Sequence, residues 1–296
     1  MSEPLPKHIH DKLWGPQTSF PAFLDSLARS VNQVIAEQDE SIWLAKGHLN
    51  FLAWLAGSLS KGVPAGPTHD LLFGLLRHIY TSGCVGWITV RAGYPIEARG
   101  VGRALIEASW LFELGCENPD YLQNWWHQMQ LPTGGGLRGK LLKYDQDRYG
   151  KEKAALMARA RKEMHDEFSA GTHPTFFSII VPWMFDETTQ SSYIRFGPVE
   201  DEFAVRRGEE HYLMLIDAVS VICADRATAC FPGISNGEDL VGGAGALQHA
   251  FFDFSKRIRE ELMTPATFDH ERLAEALRVW SRPRTRTDGE ERATGA

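Results

Sequence analysis

The chain has 296 residues and a mass of 33.2 kDa, room for one large domain or two at a usual ~150 residues each. Its 43% hydrophobic and 23% charged residues are ordinary globular values and exclude collagen-like, disordered and disulfide-scaffold classes. Thirty-one Lys and Arg against 38 Asp and Glu give a net charge of -7, which lacks the global basic footprint of a dedicated nucleic-acid binder and leaves room only for a local basic groove.

Helical periodicity dominates. Phe20, Phe23, Leu24, Leu27, Val31, Val34 and Ile35 recur at steps of three and four and predict an amphipathic helix over about 19–38. Asp39 and Ser41 open a more apolar segment ending at 57–62, and Thr68 after Pro67 reads as the N-cap of a long helix to about Ala92. Gly93-Tyr94-Pro95 is a break with proline placed for a first helical turn; the next helix runs to Gly115, and Asn118-Pro119-Asp120 restarts the pattern. Gly83, Gly86, Gly100 and Gly102 are expected to let the third and fourth helices approach closely.

Residues 131–136 read as a loop, followed by helices near 137–149 and 151–168, the second ended by Gly171. The segment 182–198 holds turn residues and one β-like run, Ser192-Tyr-Ile-Arg-Phe196. Helical period returns from Asp201 to about Cys230, a glycine-rich loop covers 233–245, and two further helices span 247–263 and 268–280. The prediction is an all-α, multi-helix bundle with at most one small β-hairpin near 192–198, forming a single domain over 1–281 with a disordered tail at 282–296.

Cys84, Cys116, Cys223 and Cys230 lie in apolar segments without a C-x-x-C pair, which suits free thiols in a reducing compartment. The opening MSEPLPKHIHDKLWGP lacks an apolar core of signal-peptide length, and the most apolar run, 42–59, is interrupted by Lys46, His48 and Asn50. A cytoplasmic protein without a membrane span is expected. Nine Trp and 16 Phe exceed what one core obviously requires and point to a homodimer.

Several motifs fail their own tests. Gly134 to Lys140 has P-loop spacing, but Leu141 replaces the required Ser or Thr and the preceding Trp125-Trp126-His127-Gln128-Met129 reads as helix, not strand. No histidine has a Glu three or four residues before it, so a di-iron bundle site is disfavoured, and neither metal nor cofactor is expected. Arg206 to His211 and Arg159 to His165 match the Arg-to-His spacing of helical-bundle ribonucleases of the HEPN (higher-eukaryote and prokaryote nucleotide-binding) kind, but chance supplies as many.

Two places carry more. On the helix 95–115, Arg99, Arg103 and Glu107 step by four along one line, with Ile106, Trp110 and Leu114 on the same side. The charges therefore sit among apolar neighbours, as a self-satisfied Arg-Glu pair or as a guanidinium held for an anionic group. In Ser169-Ala-Gly-Thr-His173-Pro174, His173 is pushed out of helical geometry by the proline and placed near a helix start, where a neutral imidazole could act as a general base or simply tie the turn.

With these motifs the chain resembles an uncharacterised bacterial family of helical proteins classed as a domain of unknown function. The resemblance rests on Gly93-Tyr94, Glu97-Ala98, Arg103-Ala-Leu-Ile-Glu107-Ala108, Asn118-Pro119-Asp120 and Ser169-x-x-x-His173-Pro174, and covers roughly 70–225. It implies an all-helical intracellular fold with Arg103, Glu107, Ser169 and His173 at motif positions, and brings no established activity. Two functional readings stand. The favoured one is a binding or regulatory protein for a small anionic ligand, held by Arg99, Arg103, Glu107 and Ser169. The other is a phosphodiesterase or ribonuclease-like enzyme with His173 as general base.

Overall fold

A computed structural model of the chain describes residues 39–128, 134–169, 202–234 and 236–262, together with 28–29, 31–32, 183–186 and 191–194. Eight helices account for nearly all of these: α1 (Glu40–Gly62), α2 (Pro67–Arg91), α3 (Pro95–Glu117), α4 (Pro119–Gln128), α5 (Gly134–Tyr149), α6 (Lys151–Ser169), α7 (Glu202–Cys230) and α8 (Gly237–Leu262). The fold is an all-α multi-helix bundle. Strands β1 (Trp183–Asp186) and β2 (Ser191–Ile194) pair antiparallel, with Trp183 opposite Ile194 and Asp186 opposite Ser191. The hairpin thus lies slightly earlier in the chain than the run 192–196 indicates.

The helix ends follow local chemistry. Asp39 caps α1 by accepting the Ser41 N–H at 3.1 Å. Between α2 and α3, Gly93 takes φ 85°. Its N–H bonds to the Val90 carbonyl and that of Tyr94 to Thr89, the double bond of a Schellman stop that needs a residue free of Cβ strain. Pro95 then opens α3 with its preset φ. Asn118 accepts the Tyr121 N–H through its side chain at 3.0 Å and starts α4.

α3 is the hub, packing against α2, α4, α5, α6 and α7. Its second half is buried on every side, from Ala108 to Cys116, as expected of a helix with partners all round. Leu55 of α1, Leu72 and Trp87 of α2, Trp110 and Phe112 of α3, and Tyr212 and Ile216 of α7 fill the core.

Four local readings are corrected. Thr68 lies inside α2, which Pro67 starts behind Gly66; the Thr68 hydroxyl instead accepts from Gln123 Nε2 at 2.8 Å. α5 begins at Gly134 itself, so the glycine run opens a helix. α8 begins at Gly237 and carries Gly242, Gly243 and Gly245, because Leu240 and Ala244 reach the core and a Cβ at Gly243 would stand 3.2 Å from Trp54. Tertiary packing there overrides low helix propensity. Finally, the glycines of α2 and α3 mainly admit side chains from other helices. Cβ atoms at Gly83, Gly86 and Gly102 would meet Leu49, Tyr212 and Phe168 at 2.8, 1.7 and 2.4 Å. The expected helix 268–280, the tail, His173, the stop at Gly171 and nearly all of the expected helix 19–38 lie outside the described residues. Among the described residues no helix is long and apolar enough to cross a membrane.

Candidate functional site

A cavity of about 980 Å³ opens between α2, α3 and α4, with Leu137 of α5 also in its lining. Helical spacing builds its walls. Leu71, Gly74, Leu75 and His78 form one face of α2, and Ala104, Glu107, Ala108 and Leu111 one face of α3. α4 adds Gln123, His127 and the paired indoles Trp125 and Trp126, whose ring centroids are 6.5 Å apart. Gly74 leaves the floor open, since a Cβ there meets nothing within 4 Å. Trp126 is 59% exposed, while the buried indole N–H of Trp125 has no hydrogen-bond partner among the described residues. Apolar walls with a few convergent polar groups are the general form of a small-molecule site.

Glu107 is where this cavity meets a line of polar side chains. Its Oε1 accepts from Arg103 Nε at 3.1 Å and faces His165 Nε2 at 3.3 Å. His165 Nδ1 in turn lies 3.3 Å from the Ser169 hydroxyl. Both contacts are satisfied when Nε2 carries the proton to Glu107 and Nδ1 accepts from Ser169. Trp110 stacks on the imidazole with centroids 5.4 Å apart, and the Arg138 guanidinium lies 5.8 Å from the Trp110 ring. Glu107 is therefore oriented through one oxygen, while Oε2 makes no hydrogen bond to any described residue.

Of the residues singled out in the sequence, the structure gathers Arg103, Glu107 and Ser169 on this one line, and His165 is the link that sequence spacing did not reveal. A histidine four residues before Ser169 and on its helical face was the available signal. Arg99 sits apart. It acts on His211 of α7, whose imidazole is held below its ordinary range by burial; Glu167 and Glu210 pull the other way, and Arg207 and Arg99 add to the lowering. His211 Nδ1 lies 3.0 Å from Glu167 Oε1, while Arg159 pairs with Glu163 on the exposed side of α6 at 2.8 Å. In the two HEPN-type spacings, therefore, His211 faces Glu167, Arg159 faces Glu163 and His165 faces Glu107.

Two further polar clusters escaped sequence reading. Arg161 Nη2 donates to Glu113 Oε2 at 2.7 Å and its Nη1 to Asp145 Oδ2. Arg226 donates to Glu117 at 2.5 Å, Asp145 at 2.5 Å and Glu113 at 3.2 Å. Glu113 and Asp145 have no solvent exposure. Burial raises the Glu113 carboxyl against the pull of both arginines. The second cluster pairs His48 of α1 with Asp217 of α7 at 3.6 Å, beyond hydrogen-bond range. Burial lowers His48 to about 4 and raises Asp217 to about 7, the latter against a hydrogen bond from Gln248. Between about pH 4 and about pH 7 the contact is between neutral groups. A lone carboxylate in the apolar run 111–116 was the sequence sign of the first cluster; no spacing marks partners that come from distant helices. Among the described residues no group of three or more His, Cys, Asp or Glu gathers to hold a metal ion.

Compared with protein-family models, curated proteins and solved structures, the chain matches none.

Proposed function

We propose that this is a small-molecule binding protein of regulatory type, whose ligand enters the cavity between α2, α3 and α4. The observation that carries this reading is Glu107: a carboxylate fixed through Oε1, with Oε2 bonded to no described residue, in the lining of about 980 Å³ of largely apolar space. The cavity falls in the range of ligand sites, roughly 300–1,000 Å³. The charged residues lining it are Asp70 and Glu107, with no Lys or Arg among the described lining residues. That lining supports a neutral or cationic occupant in place of the anionic one read from the Arg stripe. The four cysteines are free thiols, which supports the cytoplasmic placement. The homodimer draws support from exposed apolar side chains on α1, Trp43 and Trp54, and on adjoining α8, Val241 and Phe252; sedimentation as a dimer at micromolar concentration is the check.

The test of ligand binding uses naphthalenemethanol as a neutral probe, read by Trp fluorescence and by Tm. Wild type should show saturable quenching from Trp125 and Trp126 and a higher Tm. Gly74→Phe, which fills open space on a helix face, should keep the fold and lose both responses. Absence of saturable binding to the wild type by this alcohol and by its amine and carboxylate counterparts would reject this reading.

The line Ser169–His165–Glu107 favours a second reading, ester or phosphodiester hydrolysis. Ser169 would be the nucleophile, His165 the base that takes its proton, and Glu107 the carboxylate that orients the base. Hydrolysis of bis(nitrophenyl) phosphate or nitrophenyl acetate that His165→Ala and Ser169→Ala both abolish is the result this reading requires.

A further inference from the structure

We infer that the cavity recognises an ammonium group carried on an aromatic or apolar body, with Glu107 Oε2 as its hydrogen-bond acceptor. The inference rests on the ligand-binding reading above and adds the chemical class of the ligand. Three features converge on it. Glu107 has one oxygen engaged by Arg103 and His165 and the other bonded to no described residue, so the acceptor is oriented before any ligand arrives. Trp125 and Trp126 line the same cavity, and an ammonium close to an indole gains from the ring quadrupole. At the rim Asp70, whose side chain is 78% exposed, adds a second negative charge.

Charge decides among head groups. A carboxylate or phosphate entering here would face Asp70 and Glu107, with no Lys or Arg among the described lining residues to receive it. A hydroxyl would hydrogen-bond to Oε2 as a neutral donor. An ammonium makes the same bond with charge assistance and keeps further donors for other polar groups of the lining, which includes His78 and His127. Arg103 lowers the gain, because its guanidinium already lies against the other oxygen. The expected preference for ammonium over hydroxyl is therefore modest, about tenfold, or about 1.4 kcal/mol. The walls set the body: Leu71, Leu75 and Leu111 with two indoles accept one or two fused rings.

Three probes of one shape, naphthylmethylamine, naphthalenemethanol and naphthoate, separate the claims when titrated near pH 7 against wild type, Glu107→Gln and Gly74→Phe. The expected order in wild type is amine first, alcohol about tenfold weaker, and naphthoate weaker still. Glu107→Gln should bring amine and alcohol to within about twofold, and Gly74→Phe should lose all three. Amine no tighter than alcohol, or naphthoate equal to amine, overturns the ammonium assignment and leaves the cavity as a ligand site. Failure of all three to bind wild type overturns the ligand-binding reading itself. The wild-type ranking stands without either variant, so a misfolded Glu107→Gln protein does not protect the inference.

Discussion

An arginine beside a glutamate four residues on is worth very different amounts according to what surrounds it. Arg103 and Glu107 each keep about 30% side-chain exposure, so water screens the pair and Arg103→Ala should cost only about 0.5–1 kcal/mol in urea unfolding. Arg226 is 1% exposed and satisfies three carboxylates. Arg226→Ala leaves the buried Glu113 and Asp145 to share the single guanidinium of Arg161 and should cost ~3–5 kcal/mol; equal losses in the two variants would refute this contrast. Asp217 carries the pH dependence. Its folded carboxyl, raised to about 7, keeps a proton that the unfolded chain releases near ~3.9. Its stability contribution is complete below that value and is lost as pH climbs to about 7 and beyond. His48, lowered to about 4, runs the other way, and its contribution is lost as pH falls from ~6.5 toward 4. Asp217→Asn should therefore gain on wild type as pH rises, by up to about 4 kcal/mol near pH ~8, with little difference near pH ~4. A pH-independent difference in Tm would contradict it.

At the scale of the helix, spacing and punctuation carried most of what the chain reveals about itself. The break at Gly93-Tyr94-Pro95 was legible because a glycine stop and a proline start are local devices. The helix through Gly242, Gly243 and Gly245 was not, because it depends on Leu240 and Ala244 finding the core and on Trp54 lying against Gly243. The candidate site divides in the same way. Arg103 with Glu107 follows from a step of four, whereas the bond from Glu107 to His165 spans 58 residues, and no local pattern encodes it. Gly86 shows what close approach demands: a Cβ would fall 1.7 Å from the Tyr212 hydroxyl, which itself donates to the Ser82 carbonyl at 3.0 Å. Gly86→Ala should cost about 1–3 kcal/mol by overpacking. In Gly86→Ala with Tyr212→Leu the clash partner is gone, so the double variant should be more stable than the sum of the two single losses implies; strict additivity would show that the two residues do not compete for one space.

Across the whole molecule, the buried charges Glu113, Asp145, Arg161 and Arg226 join α3, α5, α6 and α7, elements that span more than a hundred residues of chain. Each of these groups is costly to dehydrate until its partners are in place. Helices can form and apolar faces can meet earlier; this cluster can close only when four segments have docked. It therefore belongs to the native state more than to the barrier that precedes it, and it acts on how long the folded protein lasts. Arg226→Lys, which keeps the charge and loses the planar fork, should speed unfolding by about the full measure of its destabilisation and leave the refolding rate nearly unchanged. The buried ions then serve as a latch, set last on the way in and the first obstacle on the way out.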